Sequence, residues 1–425
     1  MRFSKTCRVA GDALVPLFSL GELYVSDFIP ANEQPSKPKY EIKLMLSRTS
    51  GLVQLEKAPP LDMMYGKYWY RSGISNTMRT ELKDIVDSCV DAIKPQDGDV
   101  FLDIASNDGT LLSNVPSNLI KIGIDPVDES FQADARKYAD DAIQDYFTAE
   151  VYKKGRYGNK KAKIITTIAM FYDLEDSASF LDDINEIMDD DGLFVLQLSY
   201  TPLMLQQLAF DNLCHEHVCY YSLSSLKYLL DKQGFKIVDC QLNDVNGGSF
   251  RIYIMKNGAD ITKFKTHPYR DVAKFRVESI LEYERKLRLN DEAVYLDFYK
   301  KVCELKEHTV TFIKRERDNG KTIWGYGAST KGNTLLQWYG LDNTLINAIA
   351  ERSTFKFGLK TVGTDIPIVS EDEMRKAKPD YLLVLPWHFV KEFRQRESDY
   401  LKSGGKFIIP CPAFYILSDR GVELG

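Results

Sequence analysis

Long apolar runs are missing from this chain of 425 residues, and no stretch reaches the roughly 18 consecutive apolar residues that a membrane-spanning helix needs. A membrane partner is therefore not expected. Its basic residues are scattered and its formal charge is −6, so no cationic stripe is available to hold nucleic acid. Seven cysteines (Cys7, Cys89, Cys214, Cys219, Cys240, Cys303, Cys411) include no Cys-x-x-Cys pair, which argues for reduced thiols and against a thiolate metal cluster. The opening Met-Arg-Phe-Ser-Lys-Thr-Cys lacks an apolar h-region, so the expected location is the cytoplasm. Also missing is the Gly-x-Gly-x-x-Gly of a dinucleotide site.

What remains is ordinary globular composition, 44% hydrophobic and 27% charged, at a length that implies two or three domains. Residues 1–75 carry Pro, Tyr and polar turns between short apolar runs and suggest a small β-rich cap. From Thr77 a helical pattern leads into alternating strands and helices over 76–260. The expected strands include Val100–Ile104, Ile120–Asp125, Ile164–Ile168 and Gly192–Gln197. Phe235–Asp239 and Phe250–Ile254, split by Asn246-Gly247-Gly248, are expected to pair as a hairpin. Residues 261–319 read as a helical connector. Residues 320–425 restart the alternation, with strands expected at Thr322–Tyr326, Leu345–Ile349, Tyr381–Leu385 and Lys406–Pro410, and imply a second, smaller doubly wound sheet.

Two places concentrate chemistry. Asp103-Ile104-Ala105-Ser106-Asn107-Asp108-Gly109 follows a strand and opens a helix, and about twenty residues on Asp125 ends the next strand, where a carboxylate can accept both hydroxyls of a ribose. With a single glycine the turn suits an uncharged thioether or sulfonium better than a pyrophosphate, so S-adenosylmethionine is the expected cofactor. Asp145, Tyr146 and Phe147 are placed to flank its adenine, whereas Tyr138 reads as core. Downstream, Cys214-His215-Glu216-His217 holds two of only five histidines around one acid. In an extended segment His215 and His217 would share a face. Other readings of the segment are a His-x-His metal pair, or a polar loop capping a helix that starts at Ser222.

The chain resembles the sugar C-methyltransferases that use S-adenosylmethionine to methylate a carbon of nucleotide-linked 4-keto-deoxyhexoses, enzymes of antibiotic and surface-polysaccharide sugar pathways. The resemblance rests on Gly51 to Leu55, Tyr68 to Gly73, Asp103 to Leu112, Phe210 to Leu223, Gly247 to Arg251, Gly325 to Leu336 and Leu385-Pro386-Trp387. It implies an α/β protein, with a class I methyltransferase Rossmann-like sheet between a β-rich N-terminal cap and a second, C-terminal Rossmann-like α/β domain. Relatives begin with a zinc module of two Cys-x-x-Cys pairs. Here Cys7, Ala10, Ser47 and Ser50 stand at those positions, so no zinc is expected and the cap must hold by packing alone. Cys214 replaces a tyrosine common in relatives, and Gln197 an acid.

Methylating carbon requires removal of a proton α to a ketone while the oxyanion is stabilised. His217 is the candidate base, with Glu216 as its orienting partner or alternate. Tyr68, matched to the family's active-site tyrosine, is the candidate donor to the enolate oxygen, and Tyr70 and Tyr221 compete for that role. The expected cofactor contacts are Asp103, Ala105, Ser106, Asn107, Gly109, Asp125, Asp145, Tyr146 and Phe147. Around the sugar we expect Tyr70, Ser72, His215 and Tyr221. The turn Gly325 to Asn333 precedes a helix, so Ser329, Lys331 and Asn333, with Glu351 after the next strand, would hold the nucleotide handle or buttress the site. Trp387 and His388 end a strand at the same edge, where Trp387 either lines a crevice or packs. A nicotinamide-dependent reductase built on that turn, or a binder without catalysis, are the alternatives. The expected assembly is a monomer or homodimer.

Overall fold

The computed structural model describes residues 2–3, 5–60, 63–64, 68–264 and 270–423. Its central sheet has seven strands in the order Phe235–Asn243, Ser249–Lys256, Met188–Ser199, Ala162–Ile168, Val100–Ile104, Ile120–Ile124, Asp141–Ile143. Six run in one direction, and Ser249–Lys256 is antiparallel to both its neighbours. The chain enters at Val100–Ile104, moves outward by two strands, then returns to the other side through Ala162–Ile168. That reversal opens a crevice at the carboxyl ends of these strands. This is the class I methyltransferase strand order. Val100–Ile104 is buried along its whole length, as the unbroken apolar run requires. The hairpin forms as expected, around Gly247 and Gly248 at φ 84° and 108°.

The second sheet also has seven strands, ordered Ile368–Ser370, Ile349–Glu351, Ile323–Tyr326, Tyr381–Val384, Lys406–Ile409, Tyr415–Ser418, Gly421–Glu423. It is smaller in strand length, not in strand number. The strand expected at Leu345–Ile349 begins only at Ile349, because Asp342 turns the chain before it. Its side chain accepts from Thr344 N–H (2.9 Å) and its carbonyl from Leu345 and Ile346.

The N-terminal strands are tied in by more than packing, which corrects that expectation. Val15–Tyr24, Lys39–Leu46 and Val53–Leu55 form a sheet whose fourth strand is Cys219–Tyr220, just past His217. Phe28–Pro30 pairs with Leu359–Thr361 of the C-terminal half. The positions of the absent zinc module still meet: Cys7 Sγ accepts from Val9 and Ala10 N–H and lies 3.4 Å from Ser50 Oγ, and Ser50 donates to Ser47 (3.0 Å). The connector is two helices, Arg270–Leu287 and Glu292–Asp318. One hydrophobic core runs through the cap strands, the second connector helix and the C-terminal sheet, with Phe210 packed on Trp338 and Tyr339.

Candidate active site

At the crevice the chain leaves Val100–Ile104 through Ala105 (φ 62°), Asn107 (φ 53°) and Gly109 (φ 75°). Three left-handed residues in five fold the main chain into a tight cup. A Cβ on Gly109 would sit 2.7 Å from Ala135 Cα, so only glycine lets the turn approach the helix Glu129–Ala135. Ser106 packs on Gly123, where a Cβ would lie 2.7 Å from its Oγ. Asp125 closes the cup, accepting from Asn107 N–H (2.8 Å) and Val127 N–H (3.0 Å). Burial raises the Asp125 carboxyl while those two amides oppose the rise. Asp103 is buried below, accepts from Thr166 Oγ (2.7 Å), and is pushed up to about 7 by burial, against the Thr166 bond and with the Asp125 charge adding.

The buried carboxyls of Asp103 and Asp125 beside this turn fit an adenosyl group with ribose hydroxyls and an ammonium to donate. Farther out, Asp145 accepts from its neighbour Tyr146 N–H (2.8 Å), and the Tyr146 ring is exposed at the rim. The Phe147 ring packs edge-on against Phe180 at 5.2 Å, at the margin of the core. Tyr138, expected in the core, has 43% of its surface exposed.

Residues 70–73 lie across the cup like a strap. Asn107 Oδ1 accepts from Ser72 N–H (3.0 Å), its Nδ2 donates to the Tyr70 carbonyl (2.9 Å), and Asp108 accepts from Gly73 N–H (2.9 Å). Ser72 and Tyr70 thus contribute main chain here; Tyr70 is partly exposed as a residue, while burial pushes its phenol far above the ordinary value. Arg71 fixes the strap to the next helix through Asp134 (2.8 Å) and Ser130 (2.6 Å), between the faces of Phe131 and Phe355. Tyr68 sits inside. Burial, then the charges of Asp173, Asp125 and Glu216, push its phenol far above the ordinary value, leaving a neutral donor among three acids.

The His-Glu-His segment is not extended, which corrects the shared-face expectation. The chain bends through Cys214, His215 and Glu216, so the two histidines part. His215 Nε2–H donates to the Tyr40 carbonyl (2.9 Å), and burial lowers the ring to about 4. That bond anchors the cap strand Lys39–Leu46 to the segment. His217 packs 4.2 Å from the Tyr172 ring; burial, then the Lys331 charge, lower it to about 3 against the pull of the Asn212 carbonyl, so it is a neutral imidazole. Burial raises Glu216, opposed by the Cys214 thiol, and its Oε2 is buried without a hydrogen-bond partner among the described residues. Tyr221 also departs from expectation. Beyond the bends the strand turns it into the core, where its hydroxyl meets Ser177 Oγ (2.8 Å) and its ring Phe171. Ser222 does cap the following helix, Leu223–Lys232. Among the described residues no three His, Cys, Asp or Glu side chains gather as a metal site.

The C-terminal half reaches the same place. Lys331 Nζ lies 2.6 Å from Asn212 Oδ1, and Trp387 Nε1 donates to Asp211 (3.0 Å). The glycine turn itself is filled from within. Ser329 Oγ caps its own helix by accepting from Gly332 N–H. Asn333 donates to the Asp27 carbonyl (2.8 Å). Glu351 accepts from Ala328, Arg352 and Ser353 N–H, and Lys356 donates to the Ala328 carbonyl. Ser329, Asn333 and Glu351 are thus bonded within the protein, and Lys331 to Asn212. Sequence reading missed Asp27, Tyr172, Asp211 and Asn212 as site residues. The last two stand inside the Phe210 to Leu223 segment and carried a signal; Asp27 and Tyr172 carried none. Gln197, read as a lost acid, takes Arg251 Nε (2.9 Å) and Asn243 Nδ2 (3.1 Å), while Glu81 and Asp84 balance the arginine.

Residues 75–239 match the family model described as a methyltransferase domain, and residues 244–412 the one described as a C-methyltransferase C-terminal domain. The C-methyltransferase NovU of Streptomyces niveus is 28% identical over 97% of this chain and 96% of its own. Among solved structures, the plantazolicin methyltransferase BpumL in complex with SAH is 12% identical at TM-score 0.34, over 42% of this chain and 84% of that one. The mitomycin 7-O-methyltransferase MmcR is 16% identical at TM-score 0.34, over 43% of this chain and 55% of that one.

Proposed function

Because the chain belongs to the S-adenosylmethionine-dependent C-methyltransferases, we propose that its acceptor is a nucleotide-linked 4-keto-deoxy sugar, methylated at the carbon beside the ketone. S-adenosylmethionine, when bound, supplies an electrophilic methyl group. Everything else falls to the protein. His217 is neutral at physiological pH and takes the proton α to the ketone. Glu216 stands beside it as orienting partner or alternate base. Tyr68, a phenol held neutral, donates to the oxygen on which charge develops. The strap over the cup, held by Asn107 and Asp108, fixes donor and acceptor relative to one another, which is where much of the rate should arise.

The observation that carries this reading is the lone buried acceptor, Glu216 Oε2. Buried polar atoms are normally paired, and a sugar hydroxyl is the donor such an atom lacks. Asp211 Oδ1, likewise buried without a partner among the described residues, adds a second acceptor nearby. The filled glycine turn gives a nicotinamide reductase no comparable support.

The test is transfer of an isotope-labelled methyl to thymidine-, guanosine- and cytidine-linked 4-keto-6-deoxyhexoses, read by mass spectrometry. Wild-type protein should label a sugar carbon, and His217→Asn should lose about 10²–10⁴-fold in rate. Labelling at oxygen, or full activity in the variant, would refute the assignment.

A further inference from the structure

Lys331 is a half-buried cation with no carboxylate on its own helix, Thr330–Tyr339. Its ammonium crosses from the C-terminal half to the catalytic segment, 2.6 Å from Asn212 Oδ1 and 3.5 Å from the Asn246 carbonyl. Asn212 is itself held on other sides: its Nδ2 donates to the Ala209 carbonyl (3.2 Å), and Ser199 Oγ lies 3.4 Å from its Oδ1. Its main-chain carbonyl faces the His217 ring. The neighbouring Asp211 is fixed from the same half by Trp387, on whose ring the Gly247 turn rests.

We propose that Lys331 is a positioning residue: by gripping Asn212 it sets the carbonyl against which His217 is oriented, and so holds that imidazole to its task. This rests on the reading of His217 as base. The grip also explains why a lysine at a helix start, where its own helix offers no acid, turns its ammonium to Asn212. The charged and titratable groups facing Lys331 are Asp211, Cys214, His217 and His388. Burial lowers Lys331, opposed by Asp211 and Cys214, and its charge disfavours protonation of both histidines. One residue therefore orients the base and adds to the burial that disfavours its protonation.

The experiment compares Lys331→Met, Lys331→Gln and Lys331→Arg with wild type. Gln keeps a donor for Asn212 without the charge, and Arg keeps both. Two readouts are taken: ring resonances of labelled histidine against pH, with His217 identified through His217→Asn, and the pH profile of methyl transfer. In Lys331→Met we expect His217 to titrate about one pH unit higher or more. The acid limb of the rate should follow it, and kcat should fall at least tenfold, with KM for the nucleotide sugar changed less than threefold. Lys331→Gln should show the pH shift with a smaller loss of kcat, and Lys331→Arg should resemble wild type. A Lys331→Met protein with wild-type His217 titration would overturn the proposal even if no keto sugar is turned over. A rise in KM alone, with kcat and acid limb unmoved, would make Lys331 a substrate contact and overturn it equally.

Discussion

A carboxyl placed beneath the cofactor cup has to be buried to meet its ligand, and burial works against its charge. Asp103, held near 7 against an ordinary value of about 3.9, binds its proton more readily folded than unfolded. Its contribution to stability is thus present below about pH 4 and lost as pH rises through 7. Asp103→Asn should therefore gain stability over wild type between pH 4 and 7 and keep that gain above. At most about 4 kcal/mol is at stake, because the carboxyl rises by roughly three on the pH scale. Calorimetric binding should show the same variant losing S-adenosylmethionine. A melting difference that does not vary with pH would contradict the buried-acid argument. His215 carries the opposite sign. Lowered to about 4 where it donates to Tyr40, it stabilises the fold above about 6.5, and that stability is lost as pH falls toward 4. His215→Gln, which retains a donor for the carbonyl, should remove about 1.4 kcal/mol per pH unit of acid sensitivity in that window, measurable as a flatter denaturant midpoint against pH.

At the scale of elements, a buried acid can also hold two helices together. Glu284, on Arg270–Leu287, accepts from Leu223 N–H (2.6 Å), Ser224 N–H (2.8 Å) and the Tyr200 hydroxyl (2.7 Å), at the positive end of the helix following the catalytic segment. Glu284→Leu would leave three buried donors without an acceptor, at about 1–3 kcal/mol each before relaxation. Several kcal/mol should disappear from the urea midpoint, while kcat of the protein that stays folded in the cold should be close to wild type. A midpoint within about 0.5 kcal/mol of wild type, the scatter of neutral surface changes, would reject that role for Glu284. Elements of this kind were legible in the sequence because they rest on local pattern. The strands at Val100 and Ile120, the Phe235 to Ile254 hairpin and the connector helices all follow from periodicity and turn residues. What local pattern does not contain is Cys219–Tyr220 joining the cap sheet or Phe28–Pro30 pairing with Leu359–Thr361, since each pairing depends on segments more than 160 residues apart.

On the scale of the whole molecule, the candidate site is a junction. The cofactor cup could be read from one stretch of chain because main-chain geometry alone builds it. The proposed acceptor side could not, because the strap at residues 70–73, the Asp211 to His217 segment and Lys331 come from three parts of the sequence, and only folding shows that the C-terminal turn is filled by Glu351 and Lys356. Contacts across the expected boundaries are numerous and specific. Gln337 exchanges hydrogen bonds with the main chain of Tyr24, Ser26 donates to the Thr330 carbonyl, Asn333 to that of Asp27, and Thr77 to Glu392. Beneath them Phe210, Leu213, Val302 and Phe312 share a core with the C-terminal strands. A protein ending at residue 319 would expose that core and free Asn212 from Lys331. It should bind a hydrophobic dye, lose the sharp melting transition of the full chain and transfer no methyl group, even though every residue of the cofactor cup is retained. A monodisperse 1–319 protein with the full chain's melting temperature and turnover would mean that the halves are merely tethered and that the junction contributes nothing to catalysis.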